Sequence, residues 1–501
     1  MRDLSRTQRR WILAATILGS SMAMIDGTVV NIALPALQAT LGATIADVQW
    51  VFEAYDLFLA ALMLTGGAMG DLFGRRRVFV IGVAIFTAGS IACGLAPAIG
   101  ALIAFRGLQG IGAALMVPGS LAIISASFPD RERGKAIGTW SAFTSITMVI
   151  GPLVGGAFID QISWRAIFFI NAPIAAIVIY LTWRHVPESR EGKRRKLDLA
   201  GAALATFGLG ALVYALIESS ALGFTHPNII AGFAAAFVLL AAFVAVEWRS
   251  ASPMLPLALF RSPEFCGANL LTLFLYAALA GCLFFVPLNL IQLQGFGATQ
   301  AGAAMIPTVL VLSVLSRWAG GLADRIGPRL LLIVGPLIAA AGFALFVLPG
   351  IDAGYWTGFF PAFVVLGLGM AITVAPLTTT VMTSVDRAHS GIASGINNAI
   401  AEAAGMLAVA AFGMAMSHAF DAELERRLQG AKVTAEVREQ IRGQQAKLAA
   451  IEIPEALDAT QRRAVQQAIG ESFVAGFRLV MLLGAALAVL SAIFSWWILS
   501  K

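Results

Sequence analysis

Apolar runs of about 20 residues follow one another through most of the chain, separated by short polar turns. Lipid gives the backbone no hydrogen-bond partners, so such runs must be α-helices or the strands of a closed barrel. These runs are too long for barrel strands and do not alternate in polarity. The sequence therefore predicts an all-α polytopic membrane protein. With 59% hydrophobic and only 12% charged residues in 501, the chain carries more apolar surface than a soluble core of that size could bury.

Fourteen spans are expected, roughly at 11–36, 47–69, 77–96, 98–120, 136–160, 164–183, 198–218, 228–247, 266–290, 300–321, 329–348, 356–383, 393–417 and 473–497. The first run contains Asp26 and has no small-residue cleavage site, so it reads as an uncleaved span although Arg9 and Arg10 precede it. The net charge of +6 reflects orientation and not a nucleic-acid partner. Arg2, Arg6, Arg9, Arg10, Arg75 to Arg77, Arg131, Arg133, Lys135 and the run from Arg190 to Lys196 all fall on one side, which places both termini in the cytoplasm. Arg165 is an exception in a short outer loop. The segment 418–472, assigned outside, holds eight basic and nine acidic residues. It is expected to form two or three short surface helices broken at Gly430, Gly443 and Pro454, either as a solvated cap or as a lid over an outer opening.

The chain repeats itself. Gly67-Ala-Met-Gly-Asp71-Leu-Phe-Gly74-Arg75-Arg76-Arg77, between spans 2 and 3, returns 253 residues later, with Gly67, Asp71, Gly74 and Arg76 falling on Gly320, Asp324, Gly327 and Arg329. Phe128-Pro-Asp130-Arg131-Glu-Arg-Gly134 is echoed by Val385-Asp386-Arg387-Ala-His-Ser-Gly391. Two six-helix repeats are the expected organisation: 1–190 as the first bundle, 191–261 as a basic linker with two inserted helices, and 262–501 as the second bundle.

Four stretches resemble signature motifs of the major facilitator superfamily: Asp26-Gly-Thr-Val-Val-Asn31-Ile-Ala-Leu-Pro35, Gly67 to Arg77, Arg106-Gly-Leu-Gln109-Gly-Ile-Gly112, and Gly151-Pro152-Leu-Val-Gly155-Gly156. The first and last, with fourteen spans and with Trp164-Arg165 through Asn171-Ala-Pro173, resemble the drug:proton antiporter branch. The resemblance implies the major facilitator fold and multidrug efflux across the cytoplasmic membrane, driven by the proton gradient without a cofactor. It implies that Arg106 belongs to the proton-coupling machinery, Asp26 to proton or substrate handling, and Gly151 to Gly156 to resisting leak between the halves. By resemblance, Asp71 would dock on the inner end of span 13 near Ser390 to Ser394, with Arg75 bridging it to Asp130. That latch would hold the outward-open state, while Pro328 in place of Arg75 leaves the second copy only part of the network.

Charges inside apolar spans are costly and mark function. Asp26, Asp56, Arg106 and Glu402 fall at middle depth, and Glu53 lies on the same face of span 2 as Asp56, with Tyr55 nearby. Arg106 can pair with Asp56 or Asp26, leaving at least one acid to face a water-filled cavity, where it could hold a proton or attract a cation. A buried pair tying spans 1 and 4 is the plainer alternative, and Glu53 can equally be a solvated residue near the outer mouth. Gln109, Gly110 and Gly112 let a neighbouring helix approach Arg106, and Asn31 lies in the span 1 motif. Gly67 and Gly74 suit close packing and a tight turn, Arg75 and Arg76 hold the loop inside, and Gly151 and Gly155 give span 5 a smooth face that Pro152 bends. Glu218 and Glu247 read as interface residues. Met22, Met24, Tyr55, Phe284, Phe285 and Asn289 are candidates for lining a lipophilic cavity.

No Walker motif is present, and Arg106 to Gly112 follows no strand, so neither an ATP-driven pump nor a dinucleotide enzyme is supported. Cys93, Cys266 and Cys282 lie in apolar runs and suggest no disulfide framework or metal site. The expectation is a monomeric, non-enzymatic exporter of lipophilic cations, with protons, lipid and small molecules as its partners and no nucleic acid. The alternatives are a dedicated exporter of an endogenous metabolite or lipid and a non-transporting receptor or scaffold.

Overall fold

The computed structural model describes residues 5–190, 197–250, 253–386, 390–430, 433–454 and 457–498, without the side chains of 130, 131, 142, 145, 148, 149, 324, 390, 391 and 498. The long helices are α1 (Arg6–Leu41), α2 (Ile45–Phe73), α3 (Arg75–Leu95), α4 (Ile99–Ser127), α5 (Asp130–Gln161), α6 (Ala166–His185), α7 (Leu199–Leu222) and α8 (Pro227–Arg249). They continue with α9 (Pro263–Leu288), α10 (Ile306–Ile326, preceded by the short helix Ala298–Ala304), α11 (Pro328–Leu345), α12 (Phe360–Thr383), α13 (Ser390–Gly430) and α14 (Ala459–Ile498). Among the described residues, thirteen helices have the length and hydropathy to cross a membrane, and α5 covers the remaining expected run at 136–160.

Helices α1 to α6 form one bundle and α9 to α14 a second with the same pairings: α2 on α4, α3 on α4, α1 on α5 and α1 on α6 are matched by α10 on α12, α11 on α12, α9 on α13 and α9 on α14. The bundles meet along two seams, α2 against α13 and α5 against the short helix before α10. The inserted pair α7 and α8 joins one seam, where α7 packs on both α2 and α13. Leu57, Val213, Ile217, Met406 and Ala410 form a buried apolar cluster at that junction.

Local chemistry fixes the helix ends. Thr44 and Asp47 make a reciprocal capping box at the start of α2, with Asp47 N–H donating to Thr44 Oγ1 at 3.1 Å and Thr44 N–H to Asp47 Oδ2 at 2.9 Å, a device worth about 1 kcal/mol. Gly74 turns α2 into α3 at φ 113°, where a side chain would be strained and would strike the Glu188 carboxylate. Glu188, just beyond α6, accepts the Arg76 backbone N–H at 3.1 Å, and Ser189 O accepts that of Arg75 at 3.0 Å. The α6–α7 linker thus caps α3 at its open N-terminus. At its other end Arg165 donates to Gly94 O at 3.1 Å and Ala96 O at 2.7 Å, so the arginine that breaks the charge rule serves as a C-terminal cap.

The 418–472 region differs from the loop expected. Helix α13 runs on to Gly430 and α14 begins at Ala459, so span ends set from hydropathy at 417 and 473 fall inside continuous helix. Ion pairs of Glu423 with Arg426 and Arg427 sustain helix beyond the apolar part, and Arg427 also reaches Glu471 to tie the two extensions together. Between them lie a helix, Ala435–Arg442, and a 3-10 turn, Gln445–Ala450, that rests on α1, α2, α13 and α14. We call this end of the molecule the cap face and the end carrying Gly74 to Arg77 the basic face.

Candidate functional site

Arg106 on α4 and Asp26 on α1 form an enclosed ion pair at 2.5 Å, with side-chain exposures of 0% and 1%. Asp26 Oδ1 accepts from Gln109 Nε2 at 2.6 Å and from Asn171 Nδ2 at 3.3 Å. Arg106 donates to Gln109 Oε1 at 2.8 Å and to the Val51 carbonyl at 3.0 Å, and its guanidinium lies 4.3 Å above the Tyr55 ring. Asn171 also donates to Ser90 at 2.9 Å, so four helices beyond α1 converge on this network. The choice left open between Asp56 and Asp26 as the arginine's partner resolves to Asp26.

Such convergence requires close backbones. A Cβ at Gly110 would run into the carbonyl of Tyr55, so the glycine lets α4 press onto α2 and brings Arg106 against Val51 and Tyr55.

With Arg106 committed to Asp26, the acids of the α2–α13 seam remain. Asp56 on α2 and Glu402 on α13 are half-buried and stand within electrostatic range of each other across the seam, with Tyr276 of α9 also in range of Glu402. Glu53 is not a solvated mouth residue. It is completely buried, and neither carboxylate oxygen has a hydrogen-bond partner. The reason is its stripe: one turn toward the cap face, Gln49 donates to the Val409 carbonyl of α13 at 2.7 Å, and one turn the other way Leu57 joins the α7–α13 cluster.

The structure separates Asn31 from these groups. Its Nδ2 donates to the Leu283 carbonyl at 3.3 Å, linking α1 to α9. Met22, Phe284, Phe285, Asn289 and Tyr55 are buried in helix packing, and Phe52 meets Phe284 edge-on across the bundles at 5.8 Å between ring centres. Met24 is half-buried.

The span 5 motif divides its work. A Cβ at Gly151 or Gly155 would strike Thr28 or Val29 of α1, so these two serve packing within the first bundle. Gly156 abuts Thr299, and the Pro152 carbonyl lies where Gly302 leaves room, so these two serve contact between bundles. Beside them Asp160 accepts from the Ala298 and Thr299 N–H groups, each at 2.9 Å, and from Thr299 Oγ1 at 2.6 Å. With Gln292 donating to Gln38 at 2.7 Å, every hydrogen bond described between the two bundles lies toward the cap face.

On the basic face, Asp71 pairs with Arg75 at 2.7 Å, Arg75 reaches the Ala122 carbonyl at 3.5 Å, and Arg76 the Val186 carbonyl at 3.3 Å. Gly67 approaches Pro118 of α4. The side chains of Asp130, Asp324, Ser390 and Gly391 lie outside the described residues, as does the linker 191–196. Of the interface glutamates, Glu218 accepts from Trp50 Nε1 at 3.0 Å, and the buried Glu247 accepts from Leu255 N–H at 2.8 Å. Sequence reasoning assigned no role to Asn171, Ser90, Tyr276 or Glu188. Asn171 stood inside a quoted motif, and its polarity in an apolar run was the available signal.

Residues 16–409 match the family model described as Major Facilitator Superfamily. The chain is 36% identical over 434 residues to Multidrug resistance protein Stp of Mycobacterium tuberculosis, covering 85% of this chain and 79% of that protein. It is 33% identical over 412 residues to the Tetracenomycin C resistance and export protein of Streptomyces glaucescens, covering 82% and 76% respectively. Among solved structures it resembles a bacterial homolog of the human lysosomal transporter Spinster in an inward-facing, occupied conformation, at TM-score 0.70 and 20% identity over 99% of this chain and 98% of that one.

Proposed function

The chain belongs to the major facilitator superfamily, and from that premise we propose that it exports lipophilic, cationic compounds across the cytoplasmic membrane in exchange for protons. The observation that carries this reading is the charge balance at the α2–α13 seam. Arg106 is ion-paired with Asp26, and no ion pair among the described residues includes Asp56 or Glu402, which stand within electrostatic range of each other, with the Arg106 charge also in range of Asp56. Two carboxylates brought together in a low-dielectric seam disfavour double ionisation, and the strain is relieved either by a proton or by a bound cation. Competition between proton and cation for one place gives antiport, because each ligand then favours release of the other.

The bundles supply the two access states. Contacts on the cap face close one side, and rocking about the seams would break them while bringing the basic-face loops together. Asp26 and Arg106 fix α1, α4 and α6 around the site, so that the network moves as one body. The relatives named for multidrug resistance support a broad range of cargo. Those named for the export or resistance of a single antibiotic favour a second reading, a dedicated exporter on the same fold.

Accumulation of dyes in liposomes bearing a proton gradient tests both. A broad cation antiporter concentrates several lipophilic cations, ignores neutral analogues, and loses this when Glu402→Gln is introduced. Transport of neutral dyes at the same rate, or no loss in Glu402→Gln, overturns the cation-exchange reading.

A further inference from the structure

Glu53 stands apart from the acid pair that the proposed exchange uses. Its side chain is fully enclosed, both oxygens lack partners, and no ion pair among the described residues includes it. Four charged groups stand near its stripe. Asp56 lies one turn along α2 and raises the negative charge nearby. Glu402 of α13 stands within electrostatic range of Asp56. Glu218 of α7 is held by Trp50, and Arg106 of α4 by Asp26, Gln109 and the Val51 carbonyl. Among the described residues no hydrogen bond or ion pair compensates an anion at Glu53, whereas a neutral carboxyl is tolerated.

What encloses Glu53 is a contact between the two bundles. One turn nearer the cap face, Gln49 of α2 bonds Val409 of α13 and sits in the space that Gly413 leaves free. Opening the cap face must part α2 from α13 at this level and let water reach the carboxyl. The closed and open states therefore treat its charge differently, which is the condition for coupling between a proton and a conformational change.

We propose that Glu53 is the residue through which outer protons drive closure of the cap face: it ionises when the seam opens to outer water and must take up a proton before the seam can shut. This rests on the antiport reading and adds to it. Asp56 and Glu402 exchange proton for cargo, while Glu53 ties proton uptake to the closing movement. The step is a plain protonation in which outer water supplies the proton and Glu53 the oxygen that accepts it. No other bond changes.

Cap-face opening can be followed directly, without transport. Single cysteines placed by Thr40→Cys and Gln300→Cys, in a chain whose three native cysteines are replaced, carry labels for distance measurement across the bundles in lipid nanodiscs. In the parent, acid pH should raise the closed fraction. In Glu53→Gln, an uncharged mimic of the protonated acid, the closed state should persist to alkaline pH, and the response should weaken at least tenfold in the closed-to-open ratio across the transition. Glu53→Asp should restore a pH response, which separates protonation from mere packing. An unchanged pH response in Glu53→Gln overturns the inference, as does a Glu53→Asp variant that behaves like Glu53→Gln. If the parent couples no protons to cargo at all, it is the antiport reading that fails, and the liposome assay reports that independently.

Discussion

Arg106 and Asp26 hold each other at 2.5 Å with almost no access to solvent, and the pair joins α4 to α1 at the centre of the first bundle. Removing either partner strands the other as an uncompensated buried charge, which costs about 3–5 kcal/mol. Arg106→Ala and Asp26→Ala should each lower the unfolding temperature of the detergent-solubilised protein sharply. The double change Arg106→Met with Asp26→Leu removes both charges and should recover much of the loss. Thermal unfolding of the three variants beside the parent checks this, and additive losses would show that the two residues are not coupled.

Gly110 should resist any side chain. Its Cβ position is taken by the Tyr55 carbonyl, so Gly110→Ala pushes α4 from α2 and costs about 1–3 kcal/mol. Gly138→Ala on α5 has nothing within 4 Å and should be neutral or gain about 0.5–1 kcal/mol from helix propensity. The same unfolding assay distinguishes them.

Closure of the cap face at the second seam depends on Asp160, which gathers three donors from the start of the short helix before α10. Asp160→Ala should release that contact and favour the cap-open state. A cysteine introduced by Ala298→Cys, buried in the parent, should then react several-fold faster with a membrane-impermeant maleimide. Equal labelling rates would show that Asp160 does not hold the seam.

Much of this architecture was legible because a bilayer imposes one element type and one length. Fourteen apolar runs gave the helices, and the repeat around Asp71 and Asp324 pointed to two bundles. Helix extension past Arg426 and Arg427 escaped hydropathy because ion pairs, not apolar residues, maintain it. At the site, charge in an apolar run singled out Asp26, Asp56, Arg106 and Glu402, of which the structure buries Asp26 and Arg106 and half-buries Asp56 and Glu402. It could not choose the partner of Arg106, since Asp26 and Asp56 lie at similar depth and only the rotation of α1 and α2 decides. Glu53 escaped for a related reason. Its depth suggested a wet mouth, but the α2–α13 contact at Gln49 closes over it, and no local pattern encodes that contact.

The basic-face turn yields a further prediction. Asp71 and Arg75 form an i,i+4 pair that is partly exposed and contributes little stability. Asp71→Asn should therefore leave folding and cargo affinity close to the parent while slowing transport, if this aspartate latches the far bundle in the other access state. Binding by fluorescence and transport in liposomes, measured on the same preparations, separate the two effects.

The central claim, that one acidic seam binds either a proton or a cation, is tested most directly by proton release from the purified protein in weakly buffered detergent. Addition of a lipophilic cation should acidify the medium in proportion to cation bound, and the release should disappear in Glu402→Gln. Cation binding without any proton release, or release undiminished in Glu402→Gln, would contradict it.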